Sequence, residues 1–498
     1  MNSYAQSIEY GLLNLTSAQL DRACGVLIAA AAGDALGAGY EFTYPPQHLV
    51  PVMKGGGLGN FAPGQWTDDT DQAAAIALVA ATGADLRTPE ALDRIATGFR
   101  EWYAAGPADV GVQTGAVLSR AAATPTAAGM LAASREVHQR QRRSAGNGSL
   151  MRTGPVALAY LHDPEALVEA AMAVSSLTHY QAEAQEACAV WCLMIRHAVL
   201  TGQFPSFEDI AHWAPNAPEW RAVLQEAEGN EPGTFRQNGW SVGALQAAWS
   251  AIVHTPVPEG PFPSAHLADA LATAIRIGYD TDTVAAIAGA LLGARWGMSA
   301  VPAQWRRILH GWPGLTSRDL ERLAFLTARG GRAGKYGWPN VEHIDYVPLQ
   351  YGRPALAIHP HDDGVWLASA TALDDLPAGV DAVVSLCLTG TRQVPEHVEH
   401  IGFRIMDEPD PSENPNLDYV LVDAARTIAA LRNEGKTVLL QCVAAHSRTP
   451  TVGIAYSMLR GVPRDVATLA VCGVLPAAHP NGGFRKALAR IESKGLLA

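Results

Sequence analysis

Residues 278–294 read Gly278-Tyr-Asp-Thr-Asp-Thr-Val-Ala-Ala-Ile-Ala-Gly-Ala-Leu-Leu-Gly-Ala294, a knot of carboxylates and hydroxyls that runs at once into small and aliphatic residues. Far upstream, Gly64-Gln-Trp-Thr-Asp-Asp-Thr-Asp71 has the same construction and leads into its own alanine-rich run. Thr and Asp are favoured at helix N-termini, where they cap free amides and oppose the positive end of the dipole, so capping accounts for either cluster alone. Together the clusters hold Asp68, Asp69, Asp71, Asp280 and Asp282, more negative charge than two caps need. Magnesium prefers carboxylate, hydroxyl and water oxygens, and two ions can share bridging carboxylates. A metal cage built from both segments is the expectation.

Outward from these motifs, the chain up to about residue 325 is helix after helix. Stretches 71–81, 155–161, 182–200, 242–253 and 282–293 are alanine-rich and of helical length. Gly/Pro-marked loops at 55–59 and 256–263 separate them. The glycine run at 55–59 lacks the Gly-Lys-Ser/Thr of a phosphate loop and reads as a loop near the metal motif. Thr327-Ala-Arg-Gly-Gly-Arg-Ala-Gly-Lys335 is small, basic and glycine-rich, the composition of a linker. After it the pattern changes. Short apolar runs at 383–388 and 437–441 read as buried strands, alternating with helical segments at 417–433 and 450–460, which implies an α/β domain. His359-Pro-His-Asp-Asp363 reads as a polar turn before a strand at 365–368. The predicted organisation is an all-α domain over 1–326, a linker over 327–342 and an α/β domain over 343–498.

With 498 residues the chain has room for more than one well-buried core. A formal charge of −12 excludes a general nucleic-acid or anionic-membrane binder, since a phosphate footprint needs clustered Lys and Arg. Cys24, Cys188, Cys192, Cys387, Cys442 and Cys472 form no CxxC pair; Cys188 and Cys192 share a helix face and read as core, and no zinc site is implied. Met1-Asn-Ser-Tyr4 lacks a leader's basic start, and no uninterrupted apolar run nears membrane-spanning length. A reducing, cytoplasmic setting is the expectation.

Several motifs resemble the ADP-ribosylglycohydrolase family. Asp280-Thr-Asp-Thr283 with 284–294 looks like its C-terminal signature, and Thr67-Asp-Asp-Thr70 matches its first metal motif. Gly25–Ala38 followed by Glu41-Phe42 resembles its opening helix and catalytic-site glutamate. Gly146-Asn-Gly-Ser-Leu-Met-Arg152, Leu177-Thr-His179 and Gly239-Trp240 through Leu245 follow in the family's order. The resemblance implies an all-α hydrolase that cleaves the glycosidic bond between ADP-ribose and an acceptor. In it Thr67, Asp68, Asp69, Asp280, Asp282 and Thr283 would hold two Mg²⁺ (or Mn²⁺) ions, with Glu41 near the scissile ribose. Asn147, Gly148 and Ser149, a plain turn by composition, would approach the diphosphate or ribose. His179 becomes a substrate contact, Arg152 a structural residue, and Asp34 a buried neighbour of the cage. Trp240 is either core or an aromatic that stacks on adenine.

The second domain carries Gln441-Cys-Val-Ala-Ala-His-Ser-Arg448-Thr-Pro-Thr451 between a predicted strand and helix. Cys442 and Arg448 have the spacing of a phosphate-binding loop. Backbone amides and a helix N-terminus would converge on one anion, which Arg448 could grip bidentately. The same positive environment favours a Cys442 thiolate as nucleophile, with Ser447 beside it to help the thiolate leave. This resembles the signature of the dual-specificity and tyrosine phosphatase family, in which Asp407 occupies the general acid's place. Two departures stand out: Gln441 replaces the usual His, and Ala445 replaces a loop glycine where a Cβ is awkward.

The sequence thus points to a metal-dependent ADP-ribosyl hydrolase fused to a Cys-dependent phosphomonoester phosphatase. An ADP-ribosylated protein or other ADP-ribosylated acceptor and a phosphorylated substrate are its expected partners. Two other readings stay open: a second domain that only reads phosphate, and a binding protein that plugs an ADP-ribosyltransferase.

Overall fold

The computed structural model describes residues 14–123, 126–141, 143–349, 354–475 and 477–497. The Met1-Asn-Ser-Tyr4 stretch lies outside them. The chain divides into two compact units, one of Met1–Pro258, Ala265–Val301 and Trp305–Arg332, the other of Glu259–Ser264, Pro302–Gln304 and Ala333–Ala498.

The first unit is helical. It contains α1 (Ser17–Gly37), α2 (Asp68–Ala80), α3 (Pro89–Ala104), α4 (Val112–Arg120), α5 (Ala127–Arg140), α6 (Gly154–Ala159), α7 (Pro164–Ser176), α8 (Ala182–Thr201), α9 (Ala217–Gly229), α10 (Ser241–His254), α11 (His266–Ile277) and α12 (Thr281–Trp296). Helix α14 (Ser317–Ala328) also belongs to it, whereas a short α13 (Ala303–Arg306) begins in the second unit and ends in the first. Its centre is the α1–α12 pair. On α1, Gly25, Ala29, Gly33 and Gly37 recur every four residues and so line one face. A Cβ at Gly25 would strike the carbonyl of Gly293, one at Gly33 the carbonyl of Ala285, and one at Gly37 the Cα of Asp282. Backbone-to-backbone approach of this kind is open only to small residues. It carries the end of α1 directly to the acidic start of α12.

By length and mean hydropathy α1 could cross a membrane, but Asp21, Arg22 and Asp34 interrupt its apolar run, and nearly all of it is buried inside the helical unit. A two-stranded hairpin, β1 (His310–Gly311) with β2 (Leu315–Thr316), is the strand content of this unit among the described residues. It clamps the first motif: Trp66 N–H donates to the His310 carbonyl at 3.1 Å, and His310 N–H to the Gly64 carbonyl at 3.1 Å. Thr327 and Ala328 are buried, and a Cβ at Gly83 would strike the Gly330 carbonyl. Residues 327–332 therefore close onto the end of α2 rather than forming a free tether.

The second unit is a five-stranded sheet in the order β3 (Leu356–His359), β4 (Asp362–Ser369), β7 (Val438–Cys442), β5 (Ala382–Ser385), β6 (Glu399–Gly402). Only β3 with β4 is antiparallel; the other pairings are parallel. Helices α15 (Leu417–Asn433), α16 (Arg448–Leu459), α17 (Arg464–Val474) and α18 (Gly482–Ser493) accompany it. Strands β5 and β7 are buried along their whole length, as parallel strands covered on both faces must be. Pro360 and His361 make the turn between β3 and β4, so the strand expected at 365–368 already begins at Asp362, and His359, Asp362 and Asp363 are strand residues. Cys442 ends the central strand and Arg448 opens α16, which puts the intervening loop at the carboxyl edge of the sheet.

Candidate functional site

Capping does not account for the acidic clusters, although Asp282 Oδ1 accepts the first-turn Thr283 N–H at 3.0 Å. Thr67 and Asp280 stand at the N-cap positions of α2 and α12, yet neither side chain makes a capping bond. The amides of α2 are served from outside, by Asp34 near the end of α1. Its carboxylate accepts Thr67 N–H at 2.9 Å, Thr70 N–H at 3.1 Å and the Thr70 hydroxyl at 2.6 Å. With capping supplied by Asp34, the Asp68 and Asp69 side chains are left for other work. Asp71 is different: it accepts the indole N–H groups of Trp66 and Trp102, each at 2.9 Å, and Trp312 N–H at 3.1 Å. These bonds account for its carboxylate, so of the five acids grouped from sequence Asp71 belongs to the scaffold.

The two motifs meet. Thr67 Oγ1 donates to Asp69 Oδ2 at 2.9 Å, and Thr283 Oγ1 approaches the same oxygen at 3.4 Å. Oxygens of Glu41, Asp280 and Asp282 all lie within 4.8 Å of one another. Asp69 Oδ1 is buried with no hydrogen-bond partner. Burial, followed by mutual repulsion, pushes Asp68, Asp69 and Asp282 well above the usual carboxylate range. Glu41 is pushed up to about 8 by burial and by the charges of Asp109, Asp280 and Asp34. Among the described residues no ion pair engages Glu41, Asp68, Asp69, Asp280 or Asp282. Crowded carboxylates with an orphaned oxygen and no basic partner are the donor set of a hard divalent cation.

Around this cage the neighbouring loops are laced together by Asn238, which no sequence motif singled out. It is fully buried; its Oδ1 accepts Asp280 N–H at 3.2 Å, and its Nδ2 donates to the Gly278 carbonyl at 3.1 Å. Asn147 Nδ2 donates to the Asn238 carbonyl at 2.9 Å and to Asp280 Oδ2 at 2.8 Å. The signal was available as a polar Gln237-Asn238-Gly239 ahead of a helix, but only contact reveals the role. Asp109 was missed as well; its charge is felt by both Glu41 and Asp68.

Not every expected contact is open. His179 is buried, held by Thr178 Oγ1 at 2.7 Å from Nδ1, and its ring underlies Gly146 and Gly148. In this structure it supports the loop. Ser149 is buried too, its Oγ accepting the Ser175 hydroxyl at 2.8 Å. Arg152 is fully buried, bonded to Gln72 Oε1 at 2.5 Å and Thr178 Oγ1 at 2.6 Å, which is a structural position. Of the alternatives for Trp240, core is excluded, since it is 43% exposed.

In the α/β unit, Arg448 follows the Cys442 loop, its Nη1 donating to the Leu386 carbonyl at 2.8 Å and the Ile405 carbonyl at 3.3 Å. Its buried Nε donates no hydrogen bond and stands 3.7 Å from Asp407 Oδ2. Asp407 also accepts Asn481 Nδ2 at 3.0 Å, while Ser447 Oγ accepts Asn481 N–H at 3.2 Å. The two departures are structurally explicit. Ala445 adopts a left-handed φ of 51°, a region that favours glycine. Gln441 is buried, donating to Ser385 Oγ at 2.8 Å and accepting the Cys387 thiol at 3.3 Å.

Comparison with known proteins agrees with the helical unit. The ADP-ribosylarginine hydrolase Tri1 of Pseudomonas putida (strain GB-1) is 31% identical over 295 residues, 57% of this chain and 73% of that protein. A solved structure described as an ADP-ribosylglycohydrolase-related protein complex is 30% identical with a TM-score of 0.50, covering 63% of this chain and 99% of its own. Dual specificity protein phosphatase 1 of Arabidopsis thaliana is 26% identical over 133 residues, 26% of this chain and 67% of that protein. The family model for ADP-ribosylglycohydrolase matches residues 15–334, and with the carboxylate cage built by that same stretch, the chain belongs to the ADP-ribosylglycohydrolase family.

Proposed function

We propose that the helical unit is a divalent-metal-dependent hydrolase that releases ADP-ribose from a modified acceptor. The observation that carries this reading is the convergence of Glu41, Asp280 and Asp282 within 4.8 Å, beside an Asp69 oxygen that is buried and unpartnered. Thr67, Asp68, Asp69, Asp280, Asp282 and Thr283 would hold two Mg²⁺ or Mn²⁺ ions, which when bound supply Lewis-acid polarisation and a water of lowered pKa. The residues of the chain do the rest. Glu41, half-buried at the cage rim, would hold or move a proton at the scissile bond. The acidic surroundings favour positive charge developing on an oxocarbenium-like ribose. The Asn147–Ser149 turn, seated on the His179 ring, would bring its backbone to a diphosphate or ribose, and Trp240 offers an open indole for adenine. The likeness to Tri1, named as an ADP-ribosylarginine hydrolase, supports arginine as an acceptor.

The test is release of ADP-ribose from modified protein with and without metal. Mg²⁺ should be required, EDTA should abolish release, and Asp282→Asn should remove turnover while leaving the helical circular dichroism intact. Full activity of the metal-stripped protein would sink the reading.

A second activity is proposed for the α/β unit, phosphomonoester hydrolysis through Cys442. The buried Arg448 guanidinium, with one donor uncommitted beside Cys442 and Asp407, supports it. The Cys442 thiolate would attack phosphorus while Asp407 protonates the leaving oxygen. Retained phosphate binding with unchanged background hydrolysis in Cys442→Ser would instead make this unit a phosphate reader.

A further inference from the structure

A row of polar side chains crosses three strands at the carboxyl edge of the α/β unit's sheet, where buried parallel strands are otherwise apolar. Ser385 ends β5 and Gln441 is the next-to-last residue of β7; they are register partners, and both are buried. Gln441 Nε2 donates to Ser385 Oγ at 2.8 Å, and Ser385 Oγ lies 2.8 Å from Nε2 of His400 on β6. On its other side Gln441 Oε1 accepts the Cys387 thiol at 3.3 Å. Desolvation pushes that thiol up to about 12, so it keeps its proton and donates. The bonds then share one direction. The thiol takes the amide oxygen, the amide N–H takes Ser385 Oγ, and the Ser385 hydroxyl is left to donate to an unprotonated His400 Nε2.

Buried polar groups cost free energy unless they are paired, and a fully paired set imposes one arrangement where apolar packing tolerates several. The position of this set gives it a consequence. Successive strand residues point to opposite faces. Val383 and Leu439 pack together on the face that the row shares, whereas Val384, Leu440 and Cys442 pack in the core of the other face. Gln441 is therefore pinned from behind, and the residue that follows it in the strand is Cys442. Fixing the one fixes the direction in which the other's thiol leaves the sheet. Arg448 is held separately, by the Leu386 and Ile405 carbonyls. The sheet edge thus has two holds, one on the nucleophile and one on the cation that meets the phosphate.

We propose that Ser385 and His400, acting through Gln441, are positioning residues that aim the Cys442 thiol at phosphorus. This deepens the phosphatase reading and rests on it for the reaction. The Gln that stands before Cys442 is then a change of support: the imidazole sits two strands away, on β6, and reaches β7 through Ser385. A unit that only reads phosphate needs Arg448 and the loop amides, and has no use for a row that orients a thiol.

The experiment uses the full chain and probes the thiol and the anion site separately. Ser385→Ala and His400→Leu break the row, while His400→Gln keeps an acceptor where Nε2 stood. Calorimetry compares inorganic phosphate, which needs only the anion site, with orthovanadate, whose vanadium takes the thiolate sulfur as a further ligand. Arg448→Ala and Cys442→Ser give the respective baselines. The expected result is a roughly tenfold loss of vanadate affinity in both row-breaking variants, with phosphate affinity within about twofold of wild type. The kcat for p-nitrophenyl phosphate should fall by the same factor at unchanged KM. His400→Gln should stay near wild type, and the Ser385→Ala/His400→Leu double variant should be no worse than either single one. Equal losses on phosphate and vanadate, or no loss on vanadate, would overturn the proposal, as would a His400→Gln variant as weak as His400→Leu. His400 is only partly buried on the outermost strand, so its variants decide the matter if Ser385→Ala does not fold. Failure of the wild type to release phosphate would count against the phosphatase reading, while the two affinities still decide what the row does.

Discussion

At the residue scale the chemistry depends on which polar groups are left over. Asp34 and Asp71 satisfy amides and indoles, whereas Asp69 keeps one buried oxygen without a partner. The sequence could not sort these acids, because a carboxylate two residues from another is equivalent to it until neighbours are in place. Asn238 makes the same point from the other side. As a buried side chain with bonds on both ends, its replacement by Ala should cost about 2 kcal/mol of stability. It should also lower ADP-ribose release more than it lowers folding, because Asp280 loses its positioning; equal loss of both would assign it a purely structural role. In the second unit, Ala445 was legible as an awkward Cβ, and its φ of 51° bears that out. Ala445→Gly should stabilise by about 0.5–1 kcal/mol, read in urea melts, through relief of left-handed strain less the loss of a buried methyl.

At the element scale, the α1–α12 contact sets the position of the cage. Gly33 and Gly37 allow Asp34 to cap α2 while Asp282 passes over the end of the same helix. Gly37→Val should push α12 away from α1, abolishing Mg²⁺-dependent thermal stabilisation and costing about 1–3 kcal/mol. Retention of the full Mg²⁺-dependent shift would mean that the close approach does not set the cage. The cage also gives a pH signature. A carboxyl whose folded pKa lies above its unfolded value binds its proton more tightly when folded. Stability is then greatest below the unfolded pKa and falls as pH rises toward the folded one, about 8 for Glu41. The metal-stripped protein should therefore lose melting temperature between about pH 4.5 and 8, relative to the Mg²⁺-loaded protein over the same range. A difference curve that is flat or of opposite slope would show that the carboxylates do not repel as described.

At the scale of the whole molecule, the boundary shows how far composition reaches. Thr327–Lys335 has the make-up of a linker, yet Thr327 and Ala328 are buried and Gly330 packs on Gly83. We expect limited proteolysis to cut at Arg332 or Lys335 before Arg329, and a fragment ending at Arg332 to melt at a higher temperature than one ending at residue 326. Earlier cutting at Arg329 would restore the free-linker reading. The helix-rich pattern, the strand candidates and the paired Thr-Asp motifs were all legible, because periodicity, residue size and oxygen-ligand chemistry are local properties of the chain. So were the Cys442–Arg448 spacing and the misfit at Ala445. The rest required the fold: that Asp34 frees Asp69 by capping in its stead, that His179 lies beneath a glycine turn, and that Gln441 meets Ser385, and Ser385 meets His400, across the sheet. Those are relations between residues far apart in sequence, and only packing brings them within hydrogen-bond or van der Waals range.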